Sequence, residues 1–146
     1  MDVQLANQQN LAPLDDARFR TLCERLMAEH GVDAALSVVF VDNAAMQDLN
    51  RRFRSEDEVT DVLAFPLDDE SDPDEARLLG EVVVSVEKAI EEASQRGGPV
   101  ASEIALYVAH GLLHLLGYDD HDPDETVRMR DAEARALADA GFVPTP

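Results

Sequence analysis

Apolar positions recur along this chain with two periods, and the period separates helices from strands. From Asp15 to His30, the residues Phe19, Leu22, Cys23, Leu26 and Met27 fall on one stripe of a helix. Asp15 and Asp16 suit its positive end, and Gly31 can close it. Val3 to Ala6 predicts a short first strand, and Leu36 to Val41 is a β-branched run that predicts a buried one. Asp42 can cap a helix that runs through Leu49 towards Phe53, followed by a polar loop from Arg54 to Val59. Thr60 to Leu67 predicts another strand, with Pro66 at its end or on an edge. The acidic segment Asp68 to Arg77 has too few large apolar residues to pack and reads as a solvated loop. Gly80 to Ser85 alternates as a strand, Glu87 to Gln95 continues as a helix, and Gly97-Gly98-Pro99 breaks the chain.

The next helix, from about Ala101 to Leu116, is apolar on most of its surface through Ile104, Leu106, Val108, Leu112, Leu113, Leu115 and Leu116. A helix with so little polar face belongs in the middle of a domain. Gly117 stops it with a left-handed residue. Asp122 with Glu125 makes a capping box, Pro123 fits the first helical position, and a last helix runs to about Ala140 before Gly141. The expected fold is therefore α+β: one domain over residues 1–146, with a small mixed sheet of about four strands, about five helices and a central buried helix.

Length and composition narrow the function. A chain of 146 residues with 45% hydrophobic side chains supports one compact core. Its longest apolar runs, Leu112 to Leu116 and Val82 to Val86, fall far short of the ~20 residues that span a bilayer. The start, Met1-Asp2-Val3-Gln4-Leu5, has no basic, apolar signal, so the expectation is a cytoplasmic protein without a membrane segment. Cys23 is the single cysteine, which excludes an internal disulfide and a cysteine-built zinc knuckle, and its place on the first apolar stripe makes it a core residue. Twelve basic against thirty-one acidic side chains give a formal charge of −19, a field that repels polyanions. Arg51, Arg52 and Arg54 nevertheless cluster in one segment and leave room for a local cationic patch.

Three of the four histidines lie in His110-Gly111-Leu112-Leu113-His114-Leu115-Leu116-Gly117-Tyr118-Asp119-Asp120-His121. Positions four apart on a helix lie one above the other, so His110 and His114 can present two imidazoles to one ion. After the turn at Gly117, His121 or a neighbouring carboxylate can return to complete a three-ligand set that leaves a position open for water. Two histidines at this spacing are by themselves equally compatible with no ligand role. The context favours a metal, because an apolar helix would otherwise bury imidazoles at a cost of ~1–3 kcal/mol for each unsatisfied group. His30, at the end of the first helix, reads as structural. Zinc peptidases with a helical H-x-x-x-H use a glutamate directly after the first histidine as general base, and here that position is Gly111.

The stretch from His110 through Asp119 resembles the signature H-G-x-L-H-L-x-G-Y-D-H of the YbeY family, which accounts for Gly111. The resemblance extends to Leu49-Asn50-Arg51-Arg52-Phe53-Arg54, to Thr60-Asp61-Val62-Leu63-Ala64-Phe65-Pro66 and to Leu79-Gly80-Glu81-Val82-Val83-Val84. It implies a metal-dependent, single-strand-preferring endoribonuclease acting in ribosomal RNA processing, at the 3′ end of 16S rRNA, and in ribosome quality control. It also implies one zinc ion held by His110, His114 and His121, with Arg54 as the functional arginine, although Ser55 follows where the family commonly has glycine. Its partners would be single-stranded RNA and the small ribosomal subunit, with ribosomal proteins or a GTPase beside them. One departure bears on the ligand set. The family's third histidine directly follows the aspartate of G-Y-D-H, whereas here Asp120 intervenes, so Asp120 stands as the alternative third ligand. Two other classes remain open on the residues alone: a non-catalytic ribosome-associated factor with a closed, structural zinc, and a peptidase or other zinc hydrolase with its base elsewhere in the chain.

Overall fold

A computed structural model describes residues 1–56, 58–67 and 78–145. Nine elements follow one another: β1 (Asp2–Asn7), α1 (Asp16–Glu29), β2 (Ala35–Val41), α2 (Asn43–Arg54), β3 (Val62–Pro66), β4 (Leu78–Ser85), α3 (Val86–Arg96), α4 (Val100–Leu115) and α5 (Pro123–Asp139). These are the expected α+β elements, with boundaries moved by a few residues. The expected acidic loop from Asp68 to Arg77 lies outside the described residues.

The four strands are ordered β1-β2-β4-β3. β1 and β2 are parallel, as are β2 and β4, while β3 runs antiparallel to β4 and forms one edge. Pro66 ends this edge strand, where its missing N–H leaves no central ladder position empty. The uninterrupted apolar runs of β2 and β4 arise because both faces of the sheet are covered. Val82 and Val84 point into the main core with Leu36, Val38 and Phe40, against α1, α4 and α5. Val83 and Val41 point the other way, into a smaller cluster with Leu63 and Met46 of α2.

α4 contacts α1, α3, α5, β3 and β4, the central position that its apolar surface demands. Its approach to the sheet depends on Gly111. A β-carbon there would lie 2.7 Å from Val82 Cγ1 and 3.0 Å from Val62 Cγ2, so any larger residue would push the helix away from the strands. The position at which zinc peptidases carry glutamate is thus a packing contact. A polar link secures the start of the helix: Arg96 Nη1 donates to the buried Glu103 carboxylate at 2.8 Å. Burial, followed by the charge of Glu103, raises the Tyr107 hydroxyl above its ordinary pKa.

Cys23 is fully buried in the main core, and desolvation pushes its thiol pKa up to about 12, so it is an inert packing residue, as its position on the stripe implied. No helix among the described residues is long and apolar enough to cross a membrane.

Candidate metal centre

His110 and His114 lie one turn apart on α4, both half-buried, with their Nε2 atoms 3.1 Å apart. The other nitrogen of each ring is committed elsewhere. His114 Nδ1 lies 3.1 Å from the Tyr118 carbonyl, which can only accept, so this nitrogen carries the proton and donates. His110 Nδ1 faces a carboxylate oxygen of Glu133 at 3.6 Å, which favours the proton on that side as well. With both Nδ1 atoms protonated, the two Nε2 lone pairs turn towards one point, where a cation replaces the 3.1 Å hydrogen bond that the other tautomer of His110 makes. Two lone pairs at this distance repel each other unless a cation lies between them, and nitrogen ligands of one tetrahedral ion at ordinary bond lengths sit about 3.3 Å apart. The donor set therefore fits a metal ion.

The third donor arrives through the turn after α4. Gly117, at φ 103°, reverses the chain while Gly117 N–H donates to the His114 carbonyl and Tyr118 N–H to the Leu113 carbonyl. The reversal is anchored from α1. His30 Nδ1–H donates to the Leu26 carbonyl at 2.8 Å, which leaves Nε2 to accept from the Tyr118 hydroxyl at 2.9 Å. His30 thus has a structural role, and it holds the residue whose carbonyl orients His114. Beyond Tyr118, one carboxylate oxygen of Asp119 accepts from Asp120 N–H at 2.8 Å and lies 3.1 Å from His121 Nε2.

The result is a group of His110, His114 and Asp120 whose candidate ligand atoms lie within 4.8 Å of one another and can hold a metal ion. His121 stands outside this group. Its side chain is 74% exposed and turned to Asp119, although it borders the same cleft. Of the two candidates for the third donor, the structure gathers the Asp120 carboxylate with the two imidazoles and turns the His121 imidazole to Asp119 at the border of the same cleft.

The centre opens into a cleft of about 630 Å³ above the edge strand β3, between the end of α2 and the Asp119–His121 turn. Arg54 lines it with Phe53, Asp61, Phe65, His110, His114 and Asp120. The expected loop at Arg54 is instead the last turn of α2, which ends at Ser55 in the left-handed conformation, φ 57°. That backbone explains why glycine suits this position, since a side chain is strained there. Arg51 and Arg52 do not join Arg54 in the lining: they pair with Asp48 at 2.8 and 3.4 Å on the exposed side of α2.

Glu133 is the residue that pattern reading passed over. It lies on α5, is 2% exposed, and neither carboxylate oxygen has a hydrogen-bond partner among the described residues. A signal was present, because Glu133 falls on the buried stripe with Met129, Ala132, Ala136 and Leu137, where a carboxylate has no packing reason to stand.

Residues 4–141 match the family model described as Endoribonuclease YbeY. The chain is 37% identical over 142 residues to the Endoribonuclease YbeY of Carboxydothermus hydrogenoformans, covering 95% of this chain and 97% of that one. It is 36% identical over 146 residues to the protein of the same name from Pseudomonas entomophila, covering 100% and 92%. With the Alkaliphilus metalliredigens protein of that name it shares 42% over 114 residues, 76% of this chain and 74% of the relative. The solution structure of TM1509 from Thermotoga maritima matches with a TM-score of 0.64 at 23% identity, over 94% of this chain and 90% of that one, and so shares the fold.

Proposed function

This chain belongs to the YbeY family of endoribonucleases, and on that premise we propose that residues 1–146 form one metal-dependent domain that cleaves single-stranded RNA in ribosomal RNA processing. Its place of action is the cytoplasm, at the 3′ end of 16S rRNA and in ribosome quality control. The observation that carries the proposal is the convergence of His110 Nε2, His114 Nε2 and the Asp120 carboxylate at a cleft that Arg54 also faces. Nitrogen and carboxylate donors without thiolate suit one zinc ion, with Asp120 as third ligand and His121 as the competing one.

A divalent ion held there supplies Lewis-acid stabilisation of a phosphoryl oxygen and lowers the pKa of water. The rest is done by the chain's own residues. Arg54, at the negative end of α2, directs a planar, fixed charge into the cleft, where its N–H groups can donate to the phosphate oxygens as they gain charge. The Tyr118 carbonyl holds the His114 imidazole with Nε2 turned inwards, and the Glu133 carboxylate faces His110 Nδ1 from 3.6 Å, where its charge favours the same orientation of that ring. A three-donor group facing an open cleft favours this reading over a closed, structural ion.

A formal charge of −19 makes free RNA a weak, salt-sensitive ligand, so delivery by the small subunit, ribosomal proteins or a GTPase fits the electrostatics. The reading is tested by incubating wild type and His114→Ala with a labelled single-stranded RNA and its duplex. Cleavage of the single strand alone, absent in the variant and in chelator, is expected. Equal cleavage by both proteins would reject the site.

Glu133 gives a separate expectation. Carboxylates that accept from a metal-bound imidazole orient it, and their loss typically weakens metal affinity 10–100-fold. Glu133→Gln keeps the volume and removes the acceptor charge. A loss of about 10–100-fold in zinc affinity is expected in competition with a chromophoric chelator, with no loss of stability in the metal-free protein. Unchanged affinity would make Glu133 a packing residue.

A further inference from the structure

Of the five phenylalanines and two tyrosines in this chain, Phe19, Phe40, Phe142 and Tyr107 are buried, and Phe65 and Tyr118 are partly so. Phe53 alone is exposed, at 64%. Helical spacing puts it on the same side of α2 as Met46 and Leu49, which pack into the smaller core cluster, but the helix carries it beyond the layer it covers and out to the rim of the cleft. Among the described residues its ring contact is edge-to-face with Phe65 of β3, with centroids 5.5 Å apart at 66°. That contact fixes the orientation of the ring and leaves most of its surface to solvent.

We propose that Phe53, steadied by Phe65, is a stacking platform for an unpaired nucleobase of the RNA strand whose phosphate meets Arg54. The inference rests on the endoribonuclease reading and specifies how that site selects its substrate. The occupant follows from the surroundings. A protein partner's apolar anchor would be expected to meet a wider apolar patch, whereas here the apolar side of the cleft is confined to Phe53 and the β3 residues Val62 to Phe65 and faces Arg54, Asp61, His110, His114 and Asp120. An aromatic face one residue from a guanidinium, beside metal-binding donors, matches a ligand that alternates flat bases with phosphates. Bases inside a duplex already stack on their neighbours and cannot use the ring, so the platform itself selects single strands.

The test uses full-length protein with its metal and a fluorescent 2′-O-methyl oligoadenylate of about ten nucleotides, within the usual site size for single-strand binders. Wild type, Phe53→Ala and Phe53→Trp are compared, together with KM and kcat on a cleavable single strand. Loss of one base stack corresponds to about 5- to 150-fold in affinity. Phe53→Ala is expected to lose affinity in that range and to raise KM more than it lowers kcat, with binding retained in Phe53→Trp and metal content unchanged in both. Equal binding by wild type and Phe53→Ala would overturn the proposal, as would equal losses in the alanine and tryptophan variants. Unchanged RNA binding with lost co-sedimentation on small ribosomal subunits would assign the ring to a protein partner instead. If wild type binds no single strand at all, the endoribonuclease reading falls first and the platform with it.

Discussion

Asp120→Ala and His114→Ala are expected to emerge from purification nearly free of metal, while His121→Ala retains close to the wild-type content. Outer partners of metal ligands typically contribute 10–100-fold in affinity, so loss of a direct ligand from a three-donor set should exceed about 100-fold. The contrast between neighbouring residues gives the test its force. Asp120 and His121 are adjacent, both exposed and both on the turn after α4, so a general disturbance of that turn would affect them alike. Only the geometry separates them: the Asp120 carboxylate joins the two imidazoles, whereas His121 turns to Asp119. Exposed substitutions of this kind usually change stability by no more than about 0.5 kcal/mol, so metal content can be read in folded protein. Metal retained in Asp120→Ala and lost in His121→Ala would restore the three-histidine set.

Arg54→Ala should separate chemistry from metal binding. Its side chain lines the cleft and belongs to no ion pair among the described residues, so removing it leaves the His110, His114 and Asp120 group intact. Removing one donor aimed at developing charge typically lowers kcat by about 100- to 1,000-fold, and a loss of that size is expected on single-stranded RNA with unchanged metal content. Arg54→Lys should recover only part of the rate, because an ammonium offers a point charge in place of a planar fork. Cleavage at the wild-type rate by Arg54→Ala would remove this residue from the mechanism.

The elements were legible because their signals are local. The stripe of Phe19, Leu22, Cys23, Leu26 and Met27 and the caps at Asp42 and Asp122 all survive as α1, α2 and α5, while the Glu125 side chain makes no return bond to the Asp122 N–H and so leaves the expected capping box half formed. The helix pair of His110 and His114 was equally plain, because four residues on a helix fix which side chains meet. Which residue of the turn lies beside them was not, since a turn of a few residues can return either Asp120 or His121; the structure gathers Asp120 with the imidazoles and turns His121 to Asp119. Glu133 and Phe53 depend on contacts between elements distant in sequence. A helical pattern puts Glu133 in the core and Phe53 on the apolar stripe, but the first meets an imidazole of α4 and the second passes the edge of its layer. Neither meeting is written in spacing. Gly111 is the opposite case: the family resemblance preserved it, and the packing of α4 against Val82 and Val62 supplies the reason.

The most direct test of the central claim is a titration of metal-stripped protein with zinc, following cleavage of a single-stranded RNA against bound metal. The account predicts no cleavage without metal, and a rate that rises in proportion and levels off at one equivalent. Cleavage at full rate in the stripped protein, or one bound equivalent that leaves the RNA intact, would contradict it.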